Sequence, residues 1–391
     1  MSERSAVQLG ALSLDRGGLI LLKRALLALT PGAQIEVCGE SPELSVHLRA
    51  WARAQGHGFS EQGGRLWLTR GVHGRWRGAE RAGGVAAVVE HPKMSWGLAA
   101  RGALVEAGPT TLHFPLAERS QIWADEVGRL YAQAAAAQWD PATAIPWDAE
   151  LSHPEEVEDA VVQVMTYLIE NETAALLVPA RFLGQLHPHF REVMQLLAVT
   201  AADEARHIEV FTRRACLRRE TLGLSTRGGQ ASLQTLLEEP DFALASFLLS
   251  VLGEGSFLSL LWFLQEHAPD VITRQVCRLA AQDEARHVAF GLAHLSRHVA
   301  VDPGLRGRLA QAIQSRNQAL AQTAGLNEEV FDALVTLAAG SFEPEAIARG
   351  HDRVLTLHLD MDHGRRVRLE RLGFLTEEAA ALSALHTRNF M

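Results

Sequence analysis

Asp203-Glu204-Ala205-Arg206-His207 and Asp283-Glu284-Ala285-Arg286-His287 are one pentapeptide written twice, with the two histidines 80 residues apart. Each copy holds a glutamate and a histidine three positions apart. On a helix such positions share a face, about 4.5 Å apart along the axis. A carboxylate and an imidazole placed this way can grip one metal ion. Two such helices facing each other can hold two ions, and bundles built for that purpose draw one further glutamate from each of two other helices.

Two lone glutamates answer that requirement. Glu254 is the only charged residue between Asp241 and Glu266, and its helical neighbours are Phe247, Val251, Phe257, Leu258 and Leu261. A carboxylate on so apolar a face is costly unless it is paired or bound to metal. Upstream of the first pentapeptide there are two candidates. Glu172 shares its face with Val161, Met165, Leu168, Ile169, Ala175 and Leu176, whereas Glu170 shares a more polar one with Gln163, Thr166, Tyr167 and Thr173. The buried-face argument selects Glu172. Glu172 precedes Glu204 by 32 residues and Glu254 precedes Glu284 by 30, with the lone glutamates 82 apart. The pattern reads as two helical hairpins of similar length, each giving one glutamate and one Glu-x-x-His.

The 391 residues suffice for two or three domains. A net charge of −9 argues against general binding to nucleic acid or anionic membranes. Cys38, Cys216 and Cys277 are scattered and odd in number, with no Cys-x-x-Cys pair, which fits a reducing compartment. The start, Met1 to Ser5, has no apolar signal region. A cytoplasmic chain is therefore expected. The 22 residues from Ala243 to Leu264 carry a single charge and are long enough to span a membrane. Glu254 at their centre is better explained by a ligand-bearing helix inside a soluble bundle.

The expected fold is α+β: a small N-terminal α/β sandwich, then a mainly helical four-helix bundle with extra C-terminal helices. Residues 1–71 alternate strand, helix, strand, helix, strand, strand, beginning with a strand over Val7–Leu14 and ending with strands near Gly58–Glu61 and Arg65–Thr69. Residues 72–150 read as a connector with β-like runs at Val85–Val89 and Thr110–Phe114 and a leading helix at Ala117–Ala137. The bundle is expected over 151–300, with helices near 155–178, 189–219, 240–267 and 270–299. Pro179 ends or kinks the first of these, and a long crossover runs through Gly223–Pro240. Residues 301–391 supply further helices near 303–324, 327–340, 343–362 and 376–386 that pack on the bundle, with the Leu382–Met391 segment packed there too.

The element order of residues 1–71, with Leu14-Asp15-Arg16-Gly17-Gly18 and Thr30-Pro31-Gly32-Ala33-Gln34-Ile35-Glu36-Val37, resembles the sulfur carriers of the TusA/SirA type. Those carriers hold a persulfide on the cysteine of a Cys-Pro-x-Pro motif at the start of their first helix. Here that place reads Gly17-Gly18-Leu19-Ile20, so the nucleophile is missing and sulfur transfer is not implied. Cys38 reads as a small core residue. A degenerate domain used for docking a protein partner or for self-association is the remaining expectation.

From about residue 120 onward the duplicated Asp-Glu-Ala-Arg-His and the two lone glutamates resemble the ferritin-like di-iron carboxylate oxidases and oxygenases. The resemblance implies one iron held by Glu172, Glu204 and His207 and a second by Glu254, Glu284 and His287, with Glu204 and Glu284 bridging. Four carboxylates offset two divalent ions, and the mixed oxygen–imidazole set suits iron or manganese, so a Mn/Fe pair stays open. A metal-bound histidine usually donates its other N–H to a carboxylate. Asp203 is therefore expected to meet His287, and Asp283 to meet His207, with Arg206 and Arg286 neutralising the aspartates. Tyr167 could serve as a redox tyrosine or a pocket wall, though packing is the simpler account; His294, seven residues past His287 on the same face, is expected on the helix surface rather than along an access path.

The function implied is O2-dependent oxidation of a small organic substrate. Alternatives are iron handling of the ferroxidase or peroxidase kind, and a metal-stabilised scaffold without catalysis. The sequence has no dinucleotide fingerprint, iron–sulfur cysteine cluster or flavin motif, so a separate electron donor is expected.

Overall fold

The computed structural model describes residues 6–72, 78–321 and 328–385. By packing, the chain divides into two units, one of Met1–Ala87 with Ser95–Leu112 and one of Val88–Met94 with His113–Met391. The stretch 72–150 is thus shared between them, and the helices after residue 300 belong to the same unit as the bundle.

The first unit is a four-stranded mixed sheet with two helices. Its elements are β1 (Ala6–Gln8), α1 (Leu19–Leu27), β2 (Gln34–Cys38), α2 (Leu44–Ala54), β3 (Gly58–Gln62) and β4 (Arg65–Thr69), with strand order β1-β2-β4-β3. β1 runs parallel to β2, and the other pairings are antiparallel. Leu22, Leu26, Ile35, Val37, Leu48 and Leu68 form its own core. The expected strand Val7–Leu14 is cut to three residues. The register pairs Gln8 with Cys38, the last residue of β2, and Gly10 then turns the chain at φ +54°. Leu14–Gly18 forms a kinked turn into α1 that is non-helical at Arg16 and Gly17, and Gly17 sits at φ +114°, which only glycine adopts at ease. Cys38 is half-buried rather than a core residue. Val85–Val89 and Thr110–Phe114 form no strands; the second sheet is two residues a side, β5 (Glu80–Arg81) with β6 (Leu104–Val105).

The second unit is helical. After α3 (Arg119–Ile122) and α4 (Val127–Ala136) come the four core rods: α5 (Glu155–Leu183), α6 (Arg191–Ala215), a composite rod and α10 (Val271–Val301). The composite rod joins α8 (Phe242–Ser246), a π-helical segment Phe247–Glu254 and α9 (Gly255–His267). α5 packs on α6, and α10 packs on α9 and on the π-helical segment, giving the two hairpins read from the repeat. The crossover between them holds α7 (Arg227–Leu237), whose N-cap Thr226 accepts from Gly229 N. α11 (Leu305–Leu320), α12 (Glu328–Ala339), α13 (Pro344–Arg371) and α14 (Thr376–Ala384) follow, with α12 against α5 and α13 against α9. The segment expected to pack at the C-terminus lies outside the described residues from His386 onward.

Three boundaries differ from expectation. α5 continues through Pro179 to Leu183, because a buried face along its whole length packs on α6 and outweighs one lost hydrogen bond. α13 runs nine residues past the expected end, to Arg371. The leading helix is broken into α3 and α4 around Trp123–Glu126. Phe242–His267 is long and apolar enough to cross a membrane by composition, yet 78% of its most apolar window is buried inside the fold.

One guanidinium ties three of the four rods. Arg214 of α6 is fully buried. It donates to both Glu158 oxygens at 2.8 and 2.9 Å, to Asp270 Oδ2 at 2.8 Å and to Thr273 Oγ1 at 2.7 Å. Asp270 also caps α10 by accepting from Thr273 N at 2.8 Å. Burial alone would raise both carboxyl pKa values, but the hydrogen bonds and charge of Arg214 outweigh it and hold both below the usual range. Arg214→Leu strips Asp270 of its ion-pair partner and leaves Glu158 with His153 alone, and should lower unfolding free energy by about 3–5 kcal/mol near neutral pH. The contribution is complete above the unfolded carboxylate pKa of about 4 and is lost as pH falls through the depressed folded values. Urea denaturation should therefore show a wide gap between wild type and variant near neutrality and a narrower one in acid; a gap that is constant with pH would contradict this role.

Candidate metal centre

Six side chains converge between the four rods: Glu172 from α5, Glu204 and His207 from α6, Glu254 from the end of the π-helical segment, and Glu284 and His287 from α10. None is more than 4% exposed. Their donor atoms form two overlapping groups, Glu172–Glu204–His207–Glu284 and Glu204–Glu254–Glu284–His287, each with all donors within 4.8 Å of one another. Glu204 and Glu284 are common to both. Glu170, two positions from Glu172, is half-buried and outside the cluster, as the 3.6-residue period dictates.

His207 Nδ1 lies 3.1 Å from Glu204, 3.4 Å from Glu172 and 3.5 Å from Glu284. His287 Nδ1 lies 2.9 Å from Glu204 and 3.4 Å from Glu284, without hydrogen-bonding alignment to either. Both oxygens of Glu254 and of Glu284, one of Glu172 and one of Glu204 find no hydrogen bond among the described residues. Burial first, and then neighbouring carboxylates, push the Glu172 and Glu254 pKa values well above the usual range. Burial would lower both histidines, but Glu172 beside His207 and Glu204 beside His287 raise them instead. Glu204 is the exception among the carboxylates: burial would raise it, and the charge of His287 with hydrogen bonds from its neighbours brings it well down.

The chemistry of this set fits two metal ions. Four buried carboxylates are faced by no lysine or arginine among the described residues, only by two imidazoles. Unpaired buried carboxylate oxygens are expensive. Two divalent cations would neutralise the charge and use those oxygens. Carboxylate and imidazole donors suit iron or manganese, not the metals that prefer thiolate.

A layer of polar side chains fixes the ring orientations. His207 Nε2 meets Asp283 Oδ2 at 3.2 Å, and His287 Nε2 meets Asp203 Oδ2 at 3.4 Å, so each aspartate serves the histidine of the other pentapeptide. Both rings consequently turn Nδ1 inward. Arg206 joins the two aspartates, donating to Asp203 at 2.5 Å and to Asp283 at 2.9 Å, while Arg286 pairs with Asp283 alone. Burial would raise the Asp283 pKa, but the hydrogen bond and charge of His207 hold it far below the usual range.

Two members of this layer were not singled out by motif. Gln138 donates to Asp203 at 2.8 Å and accepts from Arg206 at 2.5 Å. Trp139 donates Nε1–H to Asp283 at 2.8 Å, lies nearly parallel to the His207 ring and is covered by the Arg206 guanidinium at 4.5 Å. Both sit in the non-periodic turn after α4. Trp139 is legible from sequence only as a large aromatic packing on the bundle. Tyr167 is buried against Phe257, 6.5 Å between ring centres, and is not one of the clustered side chains. His294 is not on the surface: it is fully buried, bonded to Ser246 Oγ at 2.8 Å and flanked by Phe242 and Phe290. Burial, with the His298 charge, pushes its pKa down to about 3.

A small cavity of ≈ 30 Å³ reaches Glu254 and His287. Its walls are mostly apolar, including Val178, Phe182, Leu197, Phe242 and Phe290, with the Ser246 and Thr200 hydroxyls among them. The π-helical segment forms one side. α10 approaches it so closely at Gly291 that a Cβ there would stand 2.8 Å from Ser250 Cβ. π-Helical turns recur at functional sites because they re-aim a side chain without ending the helix, and here the re-aimed residue is Glu254.

No protein-family model matches the chain, and no curated protein does. Solved structures do. A variant of an R2-like ligand-binding oxidase with an aerobically reconstituted Fe/Fe cofactor matches at 18% identity and TM-score 0.52, over 64% of this chain and 94% of that one. A second variant with a Mn/Fe cofactor matches at 18% and 0.49, over 66% and 94%. A protein from Synechococcus with aldehyde deformylating oxidase activity matches at 18% and 0.41, over 59% and 96%. The likeness establishes the fold alone: about two thirds of the chain has the ferritin-like helical fold of the R2-like ligand-binding oxidase, and the N-terminal unit is left unassigned.

Asp283→Asn removes the acceptor charge from His207, Trp139 and both arginines. Metal affinity, measured by competition with a chromogenic chelator, should fall about 10–100-fold. Glu170→Gln should stay within about twofold of wild type, since it lies outside the ligand face. Equal losses in the two variants would contradict the arrangement described.

Proposed function

We propose that this chain is an O2-dependent non-haem di-metal oxidase or oxygenase acting on a small organic substrate, with Fe/Fe or Mn/Fe as its metal pair. The observation that carries the proposal is the pair of overlapping ligand groups sharing Glu204 and Glu284, buried next to an apolar cavity. Glu172, Glu204 and His207 would hold one ion, and Glu254, Glu284 and His287 the other. When bound, such a pair supplies the redox chemistry that lets O2 react with a closed-shell substrate. Iron storage is less well supported, because it needs no apolar cavity at the ligands.

The protein's own contribution follows from its geometry. Asp203 and Asp283 lock the two imidazoles with Nδ1 facing the centre, and Arg206 holds the aspartates in place. The apolar walls exclude bulk water and select a largely apolar reacting group. Thr200 and Ser246 are hydroxyls able to orient it. If one oxygen atom of O2 enters the substrate and the other leaves as water, two electrons and two protons must come from elsewhere. A separate electron donor, met as a protein partner in the cytoplasm, completes that balance.

The test combines metal analysis with O2 uptake. Anaerobically loaded wild type should hold about two ions per chain and consume O2, with Mössbauer spectra of iron-loaded protein showing spin-coupled ferric ions afterwards. Glu204→Ala and Glu284→Ala should lose both properties while keeping their helical circular dichroism. Zinc alone, or no metal with unchanged folding, would overturn the proposal.

A further inference from the structure

On the other side of the π-helical segment lies a second polar feature that the di-metal reading does not use. Arg316 of α11 is only 9% exposed and faces no carboxylate among the described residues. Its Nε donates to Thr235 Oγ1 at 2.9 Å and its Nη2 to Ser232 Oγ at 2.8 Å, while Nη1 makes no hydrogen bond among the described residues. Both partners are neutral hydroxyls. A buried guanidinium left at +1 is costly. Arg214, by contrast, has two carboxylates around it.

Arg316 and Leu248 together separate two spaces. Outside is an open cleft of ≈ 450 Å³ between α7, α8 and α11, with Pro240, Leu244, Ala312 and Ala319 among its walls. Inside is a cavity of ≈ 20 Å³ lined by Leu252, Ile313, Asn317, Leu369 and Ser383 as well as by Arg316 and Leu248. The inner space has room for one or two water-sized groups, and the outer one for a short chain.

We infer that Arg316 is the anchor of a ligand site, distinct from the metal centre, that takes a small organic carboxylate. The carboxylate meets the guanidinium at Nη1, and its short alkyl body lies along Leu244, Leu248 and Ala319 in the outer cleft. A monoanion matches the one charge of Arg316, since Arg308 on the outer wall is paired with Asp302 and Arg365 on the inner wall donates to Ser383 and lies 3.9 Å from Asp362; charge-assisted bonds to carboxylate are the strong kind. A phosphate dianion is disfavoured by Glu238 and Glu239 on the cleft wall, neither of which pairs with Arg316. Leu248 and Leu252 belong to the π-helical segment that ends at Glu254, so the ligand touches the same segment that carries a metal-centre carboxylate.

Hexanoate titrated into metal-loaded protein by calorimetry tests this. Wild type should show one saturable site. Arg316→Gln should weaken it at least about tenfold, the usual scale for removing a charge-assisted partner. Ala319→Trp, at an exposed position, should block the outer cleft and weaken binding comparably without disturbing the core. Glu204→Ala should leave the site intact, which separates it from hexanoate bound at the metals and from the fate of the oxidase proposal. Absence of saturable binding in wild type overturns the inference. So does unchanged affinity in folded Arg316→Gln or in Ala319→Trp, or binding abolished by Glu204→Ala alone.

Discussion

Four carboxylates buried within one ligand cluster are the constraint on which the rest of this structure depends. No bundle of apolar helices would tolerate Glu172, Glu204, Glu254 and Glu284 together without cations to neutralise them. Among the described residues the protein supplies none of its own beyond the two imidazoles. Its arginines are instead held one layer out, where Arg206 joins Asp203 to Asp283 and leaves the inner oxygens uncommitted. The duplication of the pentapeptide follows from the same need. Each copy lends its aspartate to the histidine of the other, so neither hairpin is complete alone.

The π-helical segment is the local price of that arrangement. It sets Glu254 against the cluster, brings Ser250 close to α10 at Gly291, and is steadied from behind by Arg368, whose Nε donates to Val251 O at 2.6 Å. The same arginine lies over Gly255, where any side chain would collide with the guanidinium. α13, which carries Arg368, is thereby part of the support of the site even though it bears no ligand. The extra C-terminal helices are in this sense structural members of the bundle.

Much of this was legible in the sequence, for identifiable reasons. Glu254 stood out because it is a lone charge among Phe247, Val251 and Phe257, and Glu172 was separable from Glu170 because helical period assigns them to different faces. The reciprocal aspartate–histidine pairing followed from the chemistry of bound imidazole. Other parts left no trace in one dimension. Gln138 and Trp139 sit in a turn with no periodicity, where nothing distinguishes a residue that bonds Asp283 from one that merely packs. The π-helical turn has the same composition as an ordinary helix. His294 shares a face with His287, but the burial that Phe242 and Phe290 give it comes from tertiary packing that a lone histidine in sequence does not reveal. The extended runs near Val85 and Thr110 failed as strands because β structure requires a partner that local sequence does not show.

The central claim is that this cluster holds two metal ions bridged by Glu204 and Glu284. The most direct measurement is a crystal structure of metal-loaded protein with anomalous diffraction recorded at the iron and manganese edges. The account predicts two anomalous peaks between α6 and α10, about 3.5–4 Å apart, each within bonding distance of one histidine Nδ1 and of both shared glutamates. A single peak, or peaks lying outside the six side chains, would contradict it.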